Sequence, residues 1–308
     1  MRARVILPLG AAAAGAALAY ASVVERNWFA LRQAEVPLLA PGSEPLRILH
    51  ISDTHLTPGR KRLMTWIASL ADLEPDLVVN TGDSIAHPDS VPYFINALGP
   101  LLERPGVFVF GSNDLYRPMP KNPARYLWET SARRYPRHEP DLPWQKLGDA
   151  MCEAGWLDAN NQSGRIKAGG LDIAVAGVDD PHTRRDRYER VAGPADPQAD
   201  LRLGIMHSPE PRILDRFTAD GYDLLFAGHT HGGQLCVPGF GALVTNCEIE
   251  RARVSGLHRH PAEGEPALGG RRAWLQVSAG LGTSPGAPAR FSCRPEATLL
   301  TLVPAGNN

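Results

Sequence analysis

The sequence predicts an α/β fold: two sheets packed as a layered sandwich, with helices outside them. Three observations predict it. Between Leu46 and Phe110 the apolar runs "LRILHI", "DLVVN" and "GVFVF" alternate with two helix-compatible segments, the pattern of parallel strands joined by right-handed crossovers. The runs "LDIAVAGV", "LRLGIM" and "DLLFAG" repeat the device between Leu171 and Gly228. Finally, the chain has 308 residues and 43% hydrophobic content, enough for one substantial core, and no internal duplication divides it.

Taken in order, the chain opens with Arg2 and Arg4 ahead of a nearly uncharged apolar stretch from Val5 to Val24, about the length of a bilayer core. Arginines on the amino side orient such a segment so that the remainder lies across the membrane. The expectation over residues 1–24 is a hydrophobic helix serving as a single-pass transmembrane signal anchor, with the main domain on the extracytoplasmic side. Alternatively, the small residues of "LAYAS" mark signal-peptide cleavage and a secreted protein. Residues 25–45 mix aromatics and charges as an interfacial helix does, then reach a linker from Pro41 to Pro45. Trp28 and Phe29 either rest at the headgroup level or cover the core of the following domain.

That domain is expected over residues 46–304. Gly59 to Leu73 and Val91 to Leu102 are its first two helices, and Pro211 to Thr218 supplies another. The runs "AWLQVSAG" and "ATLLTLV" read as strands closing a second layer near the carboxyl end. Residues 119–144, rich in Pro, Arg and aromatics, interrupt the regularity as an insertion or loop over the site, with a charged face that is either solvated or turned to substrate.

The net charge of -1 and the lack of a Lys/Arg block argue against nucleic acid as a partner. Cys152, Cys236, Cys247 and Cys293 have no Cys-x-x-Cys spacing and read as ordinary reduced or buried residues, although three disulfide pairings are formally open to them.

The strand ends carry the unusual residues. Asp53 and His55 follow the first strand as Asp-x-His, Asp83 follows Gly82 after the second, and Asn113 follows the third. His207 ends a later strand, and His229 and His231 stand in "GHTHGG". Open α/β sheets place their sites at these carboxyl ends. Singly, each is an ordinary cap, turn or loop residue. Together they make a mixed carboxylate, carboxamide and imidazole set suited to two divalent ions, Mn²⁺, Fe²⁺ or Zn²⁺. The expected assignment puts Asp53, His55 and His231 on one ion and Asn113, His207 and His229 on the other, with Asp83 between them. Glycines beside these residues let backbone pass close to the ions.

At these blocks the chain resembles the calcineurin-like metallophosphoesterase superfamily, whose ordered signature is Asp-x-His, Gly-Asp, Gly-Asn-His-Asp/Glu, a later His and Gly-His-x-His. With "GHTHGGQ" and the apolar amino segment it is most similar to the membrane-associated bacterial phosphodiesterases of that group. The resemblance covers roughly Leu46 through Val303. It implies a four-layer αββα sandwich, two divalent cations held by the seven residues above, and hydrolysis of a phosphoester by a metal-bound hydroxide without a covalent enzyme intermediate.

One block departs from the pattern. "GSND", Gly111 to Asp114, puts Ser112 at the usual Asn ligand in direct register. A one-residue shift, the preferred alignment, puts Asn113 there and Asp114 where a His normally approaches the leaving group. Either register removes that imidazole. Asp83, Asn113 and Asp114 are the expected catalytic residues, Asp114 acting only if its pKa is raised.

Asp179, Asp180 and His182 in "GVDDPH" either orient a ligating imidazole, touch substrate or form a plain capped turn. Arg290 either meets a phosphate or pairs with Glu296. Gln234 either contacts substrate or organises its own turn. The favoured substrate is a phosphodiester or pyrophosphate linkage in a small molecule or, given the anchor, a lipid headgroup. The alternatives are a nuclease-like phosphodiesterase and a catalytically weak metal-binding interaction protein at the membrane.

Overall fold

The computed structural model of the chain describes residues 15–118 and 139–306. Fourteen strands are described: β1 (Ala30–Leu39), β2 (Leu46–Ile51), β3 (Leu77–Asn80), β4 (Gly106–Phe108), β5 (Leu157–Asp158), β6 (Gln162–Ala168), β7 (Leu171–Gly177), β8 (Leu201–Ile205), β9 (Leu224–Ala227), β10 (Cys236–Val237), β11 (Gly241–Ala242), β12 (Gly256–His260), β13 (Ala273–Val277) and β14 (Glu296–Pro304). They form two six-stranded sheets, in the orders β1-β14-β2-β3-β4-β5 and β12-β13-β9-β8-β7-β6, and a short β10-β11 hairpin. β2 to β5 run parallel, as do β13, β9, β8 and β7, while β14, β12 and β6 pair antiparallel with β2, β13 and β7.

Strands that alternate between two buried faces account for the sandwich. Ile48 and Val79 of the first sheet meet Ile173, Leu203 and Phe226 of the second in a core between the sheets. Leu49, Ile51 and Val78 point the other way, into a core with Leu63 and Ile67 of the helix Lys61–Ser69, Phe94 of Ser90–Leu98 and Leu147 of Trp144–Glu153. A third core joins the far face of the second sheet to Ile213, Leu214 and Phe217 of the helix Pro211–Asp220. That helix begins on Pro at its first position and ends at Gly221, φ 97°, the left-handed stop glycine permits.

The amino end differs from expectation. Among the described residues no helix is long and apolar enough to cross a membrane, which overturns the single-pass anchor; residues 1–14 of the expected span lie outside the described residues. Residues Tyr20–Val24 form instead a turn of π-helix docked on the domain: Ala21 is buried, its carbonyl accepts Arg290 N–H at 3.0 Å, and Tyr20 meets Phe291 edge-on. The interfacial helix is also absent. Residues 30–39 are β1, an edge strand parallel to β14 that buries Val36 and Leu39, where Pro37 is tolerated because an edge needs fewer N–H donors. Phe29 stacks on Trp66 at 5.2 Å and covers the core, whereas Trp28 stays half exposed.

β14 joins the first sheet, so only β13 extends the second. Most of the insertion expected at 119–144 lies outside the described residues, and its last residue, Trp144, begins a helix.

Candidate metal centre

Backbone bonds join the loops after β2 and β3, and likewise those after β8 and β9, before any side chain is considered. Asp53 N–H donates to Gly82 O at 2.8 Å, His55 N–H to Asp83 O at 2.9 Å, and Gly228 N–H to His207 O at 2.7 Å. Five expected ligands, Asp53, His55, Asp83, His229 and His231, have φ between 41° and 68°. A non-glycine residue in that region is uncommon and costs roughly 1–3 kcal/mol, so five on one site mark backbone geometry held for function. Gly228 permits the approach: a Cβ there overlaps the Ser52 hydroxyl and sits 2.5 Å from Asp53 Oδ2.

Two groups of ligand atoms, each lying within 4.8 Å of one another, result: Asp53, His55 and His231, and Asp53, Asp83 and His207. His55 and His231 place their Nε2 atoms 3.1 Å apart, and His231 Nε2 is 3.5 Å from Asp53 Oδ1. Asp83 Oδ2 lies 3.5 Å from both His55 Nε2 and His207 Nε2, spanning the groups. His229 Nδ1 completes the cluster 3.3 Å from His207 Nε2. Asp53 is thus common to both groups, a position that the expected assignment gave to Asp83 alone.

The outer nitrogens show that the donor set fits cations. His207 Nδ1 donates to Thr81 O at 2.7 Å, and His229 Nε2 is engaged by Asn246 through its O at 3.1 Å and its Nδ2 at 3.2 Å, so His207 Nε2 and His229 Nδ1 are the nitrogens turned inward, as in metal-holding histidines. Burial lowers the pKa of His55, and drives His229 and His231 well below the usual range, so these imidazoles are neutral donors. Burial raises Asp53. Asp83 ends well below the ordinary carboxylate range because His207 adjoins it and outweighs its burial; for the same reason His207 rises against its own burial.

The remaining predicted residues sort by what they touch. Asn113 meets Asp83 through Nδ2 at 2.6 Å and its backbone N–H at 2.7 Å, so it stands at the cluster. Asp114 is turned inward and fully buried: Oδ1 accepts Ser84 and Ile85 N–H at 2.7 and 3.2 Å, and Oδ2 accepts Gly111 N–H at 3.0 Å. Burial and the Asp83 charge push it up to about 7 against the pull of those donors. Asp179 is held by Arg185 at 2.9 Å, and Asp180 accepts the His182 N–H at 2.9 Å and the Thr183 hydroxyl at 3.0 Å. His182 packs its ring 4.3 Å from that of His229.

Arg290 neither faces solvent nor pairs with Glu296, which binds Arg32 at 3.0 Å. Its guanidinium donates to the carbonyls of Ala279, Gly280, Gly282 and His231, pinning the His231 loop. Gln234 Nε2 donates to Ala287 O at 2.7 Å, tying two loops together.

Sequence reasoning missed a buried chain behind Asp53. His50 Nε2 bonds Thr81 Oγ1 at 2.9 Å, Thr81 donates to Ser52 Oγ at 2.7 Å, and Ser52 to Asp53 Oδ2 at 2.5 Å. Burial holds His50 down to about 3, so it is a neutral member of the chain. A histidine inside the apolar run "LRILHI" was its available signal. Asn246 had none.

An α/β sandwich with clustered carboxylates and imidazoles at the ends of its parallel strands is a metal-binding protein of the hydrolase type. The chain belongs to the calcineurin-like phosphoesterase family, whose model matches residues 46–233, and divalent metals are that family's cofactors. It is 27% identical to the phosphodiesterase YaeI of Escherichia coli K12, over 92% of each chain. It is 26% identical to the uncharacterised metallophosphoesterase YkuE of Bacillus subtilis 168, over 96% of this chain and 93% of that one. Among solved structures it is similar to TT1561 of Thermus thermophilus, with a TM-score of 0.42 and 11% identity over 77% of this chain and 90% of that one.

Proposed function

We propose that this protein hydrolyses a phosphodiester or pyrophosphate linkage in a small molecule at a centre of two divalent cations, carried on a four-layer αββα scaffold. The carrying observation is the convergence of seven ligand-type side chains, with Asp83 Oδ2 3.5 Å from His55 and His207 and 2.6 Å from Asn113, and His229 3.3 Å from His207. Three successive cores support the layering. The relative named phosphodiesterase supports the diester preference.

Asp53, His55 and His231 would hold one cation, and His207, His229 and Asn113 the other, with Asp83 and Asp53 placed to span them. Bound there, two cations acidify water and offset phosphoryl charge. The chain's own work is positioning. Ser52 and the His229 N–H orient the Asp53 carboxylate, while both amide groups of Asn113 orient Asp83. Asp114, fully buried and accepting three backbone N–H groups, holds the loop and is turned away from a leaving group. Substrates with acidic leaving groups therefore suit this site, which is why a diester or pyrophosphate with a phosphate or aryl leaving group fits better than an alkyl monoester.

The test is hydrolysis of bis-p-nitrophenyl phosphate by the full chain after metal removal and again with added Mn²⁺, with Asp83→Ala and His231→Ala as controls. Turnover restored in the wild type alone supports the reading. Stoichiometric metal binding with no turnover of aryl diester or pyrophosphate overturns it.

A further inference from the structure

Beside the turn that carries His231 stands a pair of thiols. Cys236 Sγ lies 3.2 Å from Gly232 O, and Cys293 Sγ lies 3.5 Å from the same oxygen and 3.2 Å from His231 O. Both sulfurs therefore converge on one carbonyl oxygen, that of Gly232. Both are free and partly exposed, and both line a cavity of ≈ 830 Å³ walled by Trp28, Phe240 and Arg294, so a small reagent reaches them from solvent. Gly232 leaves little slack, since a Cβ there would sit 2.7 Å from Cys293 Sγ. Residues 231–233 are the turn that carries His231.

We propose that Cys236 and Cys293 are a redox pair that closes into a disulfide and loosens the His231 turn. The inference goes beyond the hydrolase reading and depends on it only through His231 as a ligand. The oxidant is a low-molecular-weight disulfide. The thiolate of one cysteine attacks a sulfur of that disulfide, breaking its S–S bond and releasing one thiolate, which takes up a proton. The second cysteine, deprotonated, then attacks the mixed disulfide and releases the other thiol. The pair loses two electrons and two protons, and the incoming disulfide gains both. Bonding the sulfurs to each other draws them off the carbonyls of His231 and Gly232, so the turn loses contacts that hold a ligand in place. Loss of such outer contacts weakens a metal site by roughly tenfold or more.

The experiment incubates the full chain with oxidised glutathione, then reads disulfide mapping by mass spectrometry and Mn²⁺ retention on dialysis, before and after dithiothreitol. The expected result is a Cys236–Cys293 cross-link, absent from Cys236→Ser and Cys293→Ser, with Mn²⁺ retention roughly tenfold weaker and restored by reduction. No cross-link, a link through Cys152 or Cys247, or a cross-link that leaves Mn²⁺ retention unchanged overturns the proposal. If the reduced protein holds no Mn²⁺ at all, the cation reading fails instead, and the cross-link alone decides whether the pair is redox-active: its presence upholds that and its absence overturns it.

Discussion

Single side chains carry the sharpest tests. Asn113 lies in the block at which the family pattern breaks, and its amide lies 2.6 Å from Asp83 Oδ2. Asn113→Ala is expected to leave the fold intact and lower Mn²⁺ affinity or turnover by roughly 10- to 100-fold, read by titration calorimetry and aryl diester kinetics. Asp114, next to it, should behave differently. Asp114→Ala strips three buried N–H groups of their acceptor, each worth about 1–3 kcal/mol, so a large drop in melting temperature is expected even without metal. A variant that melts normally but loses turnover would instead make Asp114 a proton donor. Behind Asp53, Thr81→Val cuts the chain from His50 to Ser52, and about tenfold weaker Mn²⁺ binding at near-normal stability is the expected outcome.

At the level of elements, the strand-end loops hold five ligands in left-handed backbone. Cations that bind only this arrangement must stabilise it. At a free Mn²⁺ concentration of one hundred times Kd the expected gain is about 2.7 kcal/mol, visible as a higher melting temperature that chelation reverses. These same loops show why the site was so legible from the sequence. Asp53, Asp83, His207 and His229 each stand two or three residues beyond the end of a strand, and a parallel strand can only deliver such residues to one edge of its sheet. The helices expected over 59–73 and 211–218, and found over 61–73 and 211–220, were legible for a similar reason, since Leu63, Ile67 and Leu70 recur at helical spacing. β1 was not. Its charged, Pro-containing sequence buries only scattered positions, because an edge strand has a partner on one side alone.

The whole molecule extends earlier in the chain than the apolar strand pattern does. β1 pairs with β14 along Ala30 to Leu39, and Glu25 and Arg26 bond Cys293 and Thr283, so residues assigned to an interfacial helix belong to the folded unit. A chain starting at residue 46 is therefore expected to expose the edge of β14 and to melt lower or aggregate compared with the full chain, as followed by circular dichroism and light scattering. Equal stability of the two would show β1 to be dispensable.

By itself the sequence determined the α/β class, the order of the ligand blocks and the family, because periodicity and strand-end polarity are properties of neighbouring residues. Only the tertiary structure decided that residues 20–39 dock on the domain, that Arg290 pins the His231 loop, that Asp114 faces inward and that Asp53 belongs to both ligand groups. Each of those depends on atoms far apart in the chain, such as Arg290 and His231 or Ser84 and Asp114, and contacts at such separations leave no local pattern to read.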